Sequence, residues 1–182
     1  MVCTLGAPLA PRAACSTPVV SPVPCGDTTG RKGRGMADRT ESSIVVDAAP
    51  DRVLDVIADF GAYPDWTGAV REAEVIEEDE DGWARTVRFV LDAGALRDTY
   101  TLAYTWDVAG NGTGAVSWTL VEAGILKAMD GAYRLAARGT GTAVTYELSV
   151  EVKMPMLGML RRKAEKTIID TALKELKKRV EG

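Results

Sequence analysis

The chain has 182 residues, 46% hydrophobic and 26% charged, which fits one globular domain with a core of its own. Its 22 basic and 26 acidic side chains exclude a global attraction to nucleic acid, and no apolar run is long enough to cross a bilayer. Histidine is absent, so the commonest general base and the commonest transition-metal ligand are both missing.

Composition changes abruptly near Met36. The first 35 residues hold five of the eight prolines and all three cysteines, Cys3, Cys15 and Cys25, with neither helical nor strand periodicity. Residues 1–38 are therefore expected to be a disordered N-terminal extension, and residues 39–182 the folded domain. The start of the chain lacks the basic residues and unbroken apolar core of a secretory signal. The cysteine spacing matches no metal site. The run "GRKGRG" before Met36 is what a purine-rich ribosome-binding site would encode if read in frame, so residues 1–35 are read either as lying upstream of the true start at Met36 or as a genuine tail. Without them the chain carries 18 basic and 25 acidic side chains and no cysteine, which suits a reducing cytoplasm.

From Glu41 the elements become legible. "ESSIVVD" is a short strand, followed by "AAPDRVLDVIADF", where Pro50 suits a first helical turn and Asp51 its positive end. Val53, Leu54, Ile57 and Phe60 recur at helical spacing. In "FGAYPDWTGAV" the short helices hand over to the next strand, with Trp66 expected as a structural plug and the Tyr63 hydroxyl reaching either cavity or surface. Six strand-like runs follow: "AVREAEVIEE", "WARTVRFVLD", "ALRDTYTLAYTWD", "AVSWTLVEAG", "LKAMDGAYRLAA" and "AVTYELSVEVKM". Turn signals such as "EDEDG", "GNGTG" and "RGTGT" separate several of them. The last run alternates without error, Val144, Tyr146, Leu148, Val150, Val152 and Met154 sharing one face, as in an antiparallel sheet covered on one side. Pro155 ends it. A long helix follows, its apolar stripe expected at Leu157, Leu160, Ala164, Ile168, Ala172 and Leu176.

The expected fold is α+β: a curved seven-stranded antiparallel sheet wrapped around a long C-terminal helix, with one or two short helices between strands 1 and 2. Such a sheet has more concave surface than one helix can fill, so a cavity is expected inside it. Strand parity gives its lining as Phe89, Tyr100, Leu102, Tyr104, Trp118, Leu120, Met129 and Tyr133, with Met156 and Met159 as an adaptable rim. This set suits a hydrophobic molecule carrying a few oxygens.

"PDRVLDVIADFGAYPDW", the strand meander and the terminal "PMLGMLRRKAEKTIIDTALKELKKRV" resemble the START-like superfamily with the helix-grip fold. The likeness is to its bacterial polyketide cyclase/dehydrase and lipid-transport branch, which includes coenzyme-Q-binding proteins, and it covers residues 40–181. The superfamily contains sterol and phospholipid carriers, aromatase/cyclases and hormone receptors, so the fold does not choose an activity.

Three functions follow. The first is binding or transport of a lipid, quinone or polyketide in the cavity, with no metal and no cofactor. The second is a cofactor-free polyketide cyclase or aromatase using the same space. The third is an interaction module with a vestigial cavity. No serine or threonine has the base partner a nucleophile needs, and "GNGTG" lies in a hairpin, without the helix that dinucleotide binding requires. Asp98 is the one catalytic candidate, a carboxylate on an inward face beside Tyr100; its structural alternative is an ion pair with Arg97 or Arg88. On the long helix, Arg161, Arg162 and Lys163 beside Met156 and Leu157 could hold the pocket mouth against anionic lipid, the alternative being a solvated face. Peptide mapping of the protein from its natural source separates the two readings of residues 1–35: a peptide spanning Arg34 to Arg39 proves the extension is translated, and mature chains beginning at Met36 or Ala37 are the outcome expected from a downstream start.

Overall fold

A computed structural model describes residues 39–93, 96–153 and 158–182, so the expected extension over residues 1–38 lies outside the described residues, as do Met156 and Leu157. Strand β1 (Thr40–Val46) leads into helix α1 (Pro50–Ala58), a single 3-10 turn (Phe60–Ala62) and the one-turn helix α2 (Tyr63–Trp66). Six strands follow, β2 (Val70–Glu78), β3 (Ala84–Ala93), β4 (Leu96–Val108), β5 (Gly114–Ala123), β6 (Leu126–Arg138) and β7 (Gly141–Val152), and then helix α3 (Gly158–Glu181). The strands form one curved antiparallel sheet in the order β1-β7-β6-β5-β4-β3-β2.

Local chemistry accounts for most of these boundaries. Pro50 occupies the first turn of α1, where its missing N–H costs nothing, and Asp51 lies at the positive end of the helix. Val53, Leu54 and Ile57 bury the inner face of α1. Gly112, with φ of 78°, turns the β4–β5 hairpin, and its bare backbone lies against Pro50 and Asp51 where a Cβ would clash. The hairpin tip thus fixes the start of α1. At the outer edge of the sheet, β2 carries Glu72, Glu74, Glu77 and Glu78 and three register shifts, devices that blunt an open edge.

Helix α3 packs on β1, β7 and α1. Its buried residues are Glu165, Ile169, Leu173 and Leu176, which differs from the stripe expected from apolar spacing. Leu160 and Ile168 are 56% and 40% exposed. The reason is a polar group in the core. Glu165 is almost fully buried, accepting the Thr40 hydroxyl at 2.6 Å and the Val150 N–H at 2.8 Å, with the Arg161 guanidinium 3.7 Å away. β1 pairs with β7 only as far as Leu148, so the Val150 N–H has no strand partner on that side. Glu165 takes the place of the missing strand and rotates the packing face toward itself. None of the described helices is long and apolar enough to cross a membrane.

Removing this clamp leaves a buried N–H unsatisfied. Glu165→Ala is expected to lower the unfolding free energy by about 2–3 kcal/mol in urea denaturation, and Thr40→Ala, which deletes one exchangeable hydroxyl, by about 1 kcal/mol.

Candidate functional site

Between α3 on one side and strands β3 to β7 on the other lies a cavity of about 340 Å³. The sheet contributes Phe89, Leu91, Tyr100, Tyr104, Trp118, Met129, Tyr133, Tyr146 and Val150. The α1–α2 segment, the following connection and the first residue of β2 add Ile57, Tyr63, Trp66, Thr67, Ala69 and Val70. From α3 come Thr167, Ile168, Thr171, Ala172 and Glu175, so the helix packs one face on β1 and β7 and turns another to the cavity. Thr167, Ile168 and Thr171 are exposed as well as lining, and the cavity opens to solvent beside them.

The chain has five tyrosines, and all five stand on this wall. Their rings join with the tryptophan and phenylalanines in a continuous series of contacts: Phe60 to Tyr104 at 4.9 Å, Tyr104 to Trp118 at 5.8 Å, Trp118 to Tyr133 at 5.5 Å and Tyr133 to Tyr146 at 4.4 Å between centroids. Such pairs hold one another in place. Gly131 makes room for this arrangement. It sits opposite Trp118 across the β5–β6 pair, and a Cβ there would clash with the indole ring.

Tyr63 donates its hydroxyl to the carbonyl of Ile57 at 2.9 Å, so that phenol is spent on the fold. The hydroxyls of Tyr100, Tyr104, Tyr133 and Tyr146 have no protein hydrogen-bond partner among the described residues. Burial pushes all five phenols well above the ordinary tyrosine value of 10.0; neighbouring phenols add to the rise at four of them, Asp98 at Tyr100 and Glu175 at Tyr133. They are neutral donors at any physiological pH. Trp66, expected as a plug, is also part of the wall, and its indole N–H is buried without a partner among the described residues. Trp106 makes the contrast: its N–H donates to the Ala84 carbonyl at 2.7 Å.

Of the residues expected from strand parity, Phe89, Tyr100, Tyr104, Trp118, Met129 and Tyr133 line the cavity. Leu102 is buried and Leu120 half-buried in the core, and neither reaches the wall. Parity selects the face of a strand, and it cannot say which positions on that face the helix leaves uncovered. Met159, expected at the rim, is 86% exposed on the first turn of α3 and away from the wall. Tyr146 and Val150 were legible as members of the buried face of β7 and belong to the site as well. Ile168 and Ala172 belong to the apolar stripe expected on the helix and face the cavity, whereas Thr171 and Glu175, being polar, carried no such signal.

Asp98 has a different task from either reading made of it. It is buried, one carboxylate oxygen accepting the Gly124 N–H at 2.9 Å and the other the N–H groups of Ile125 and Leu126 at 2.9 and 3.2 Å. These three bonds shape the turn between β5 and β6. The arginines expected as its partners pair elsewhere, Arg97 with Asp92 at 3.2 Å and Arg88 with Glu74 at 3.3 Å. Among the described residues no cluster of acidic or sulfur side chains could hold a metal ion.

A model of the polyketide cyclase/dehydrase and lipid-transport family matches residues 46–177. Among solved structures, a START superfamily protein from Mycobacterium smegmatis aligns with a TM-score of 0.73 at 21% identity, covering 79% of this chain and 97% of its own. The TTHA0849 protein of Thermus thermophilus aligns at 0.63 and 21% identity, over 78% and 96% of the two chains. The Zhui aromatase/cyclase of Streptomyces sp. R1128 aligns at 0.61 and 18% identity, over 79% and 93%. No curated protein matches.

The shifted phenols set a pH dependence. Their folded pKa values exceed the unfolded value of 10.0, so the tyrosines leave stability unchanged below that pH and lower it above, where the unfolded chain ionises first. Absorbance at the phenolate band is expected to stay flat while the protein remains folded, then to rise for all five tyrosines together as alkali unfolds it. Early ionisation of one or more tyrosines with the fold intact, seen by circular dichroism, is the contrary result.

Proposed function

The chain belongs to the polyketide cyclase/dehydrase and lipid-transport family of the START-like superfamily, and from that premise we propose that it binds and carries a hydrophobic small molecule in the cavity between α3 and the sheet. The observation that carries this reading is the wall itself: about 340 Å³ of apolar and aromatic lining with four phenol hydroxyls that the protein leaves unpaired among the described residues. A hydroxyl that the protein leaves unpaired on a cavity wall is free to donate to a guest, and a hydrogen bond of this kind contributes about 0.5–1.5 kcal/mol. Volume narrows the class. Binding cavities run from about 300 to 1,000 Å³, and this one, near the small end, suits a quinone or fused-ring polyketide better than a two-tailed phospholipid.

A second reading, a cofactor-free cyclase, is favoured by the same four phenols. Neutral donors converging on an enclosed space would hold a folded polyketide in one conformation and stabilise charge developing on its carbonyl oxygens. That reading rests on the tyrosines and leaves Asp98 outside the mechanism, since both of its oxygens are committed to the β5–β6 turn. A cytoplasmic location, suggested by a cysteine-free domain, belongs to the same proposal. Exchange at an anionic membrane surface would use the start of α3, where Met159 and Leu160 are exposed and Arg161, Arg162 and Lys163 follow.

Native mass spectrometry with solvent extraction of the protein from its own source is expected to reveal one apolar, oxygen-bearing molecule at near-stoichiometric amount. Absence of any bound mass, together with unmoved NMR signals on adding quinones, lipids and polyketides, defeats both readings. Where a ligand is found, Tyr104→Phe is expected to weaken its binding by about 1 kcal/mol; a loss of turnover far larger than the loss of affinity selects the cyclase.

A further inference from the structure

The electrostatics of the cavity wall are one-sided. Of the residues that line it, Glu175 is the single charged one, and no lysine or arginine joins it among the described residues. Arg52 and Arg179 line a separate cleft of about 220 Å³, together with Asp55 and Asp59, and that cleft shares only Trp66 with the cavity. Lys177, two residues along α3, is held by the Val45 carbonyl at 2.6 Å and Glu181 at 2.9 Å. Glu175 therefore meets the cavity without an ion pair among the described residues.

Its position is fixed. The Oε1 atom accepts the Gly68 N–H at 3.1 Å, which ties α3 to the connection carrying Trp66 and Thr67 on the cavity wall. Its Oε2 atom has no hydrogen bond or ion pair among the described residues. Tyr133 lines the facing sheet, and its phenol is raised first by burial, then by Tyr63 and Glu175. The wall thus has two ends of different chemistry. On the sheet side, phenol O–H groups seek acceptors such as carbonyl or ether oxygens. On the α3 side, a half-buried carboxylate seeks a donor.

Resting on the reading of the cavity as a ligand site, we infer that it selects uncharged, oxygen-bearing ring systems with a hydroxyl directed at Glu175, and rejects carboxylates and phosphates. Phenol donors alone would accept a carboxylate as readily as a carbonyl. The discrimination belongs to Glu175, because two like charges on one cavity wall repel and no counter-charge is present on the described wall to separate them. Glu175 is then the specificity-determining residue: it bonds the donor of a neutral ligand and excludes fatty acids and phospholipids from the same space.

Two probes of nearly equal shape test this, anthracenemethanol and anthracenecarboxylate, titrated at neutral pH against the full chain and read by quenching of tryptophan fluorescence. The alcohol is expected to bind at least about tenfold more tightly than the carboxylate. Glu175→Gln keeps an oxygen for the Gly68 N–H, so its fold and thermal midpoint are expected to hold. In that variant the gap should shrink to about threefold or less, mainly through tighter binding of the carboxylate. Equal affinities in the parent protein, or a gap untouched by Glu175→Gln, overturn the inference while leaving the cavity a ligand site. Failure of both probes to bind overturns the ligand reading and the inference together.

Discussion

A sheet of seven strands that curves around a single straight helix encloses more apolar surface than the helix can cover. Helix α3 runs for 24 residues but packs on β1 and β7, at one side of the concave face. The inner faces of the central strands are left looking across a gap. Filling it with further aliphatic side chains would give a dry core of ordinary density. The sequence instead places large rings there, which lean on one another and line the gap without closing it. The cavity follows from geometry, and its chemistry from which residues face it.

Polar groups in the interior divide into two kinds. Asp98, Glu165 and Thr142 are buried and satisfied, and each secures a place where the sheet's own pairing runs out. Asp98 holds the β5–β6 turn, Glu165 the N–H of Val150 beyond the end of β1, and Thr142 the carbonyl of Ala48 at 2.7 Å. Four phenols, the Trp66 indole and one oxygen of Glu175 are left without protein partners among the described residues. Groups of the first kind hold the frame. The residues of the second kind all belong to the cavity wall. A titratable residue on an inward face is thus no guide to chemistry until its partners are known, as Asp98 shows.

Much of the frame was legible because its signals are local. Pro50, the glycine-rich turns and the alternation of β7 as far as Val152 each report on a few neighbouring residues and agreed with the structure, Met154 lying outside the described residues. So did the inward faces of Phe89, Tyr100, Tyr104, Trp118 and Tyr133. The stripe on α3 was misjudged because apolar spacing assumes that a buried helix face is apolar. Here the face includes Glu165, whose burial depends on a strand end contributed by residues 125 positions away. Leu102 and Leu120 were assigned to the cavity for a related reason: position on the inward face is a property of the strand, and exposure to a void is a property of everything packed above it.

The sequence by itself determined the fold class, the succession of strands and helices along the chain, and an interior rich in rings, since period-two alternation, turn residues and helical spacing are written into the chain a few residues at a time. Only the tertiary structure decided which hydroxyls are spent on the protein and which remain free, that Asp98 shapes a turn, and that Glu175 brings the described cavity wall its one charge. Those outcomes depend on distances between segments far apart in the chain, and no local pattern records them.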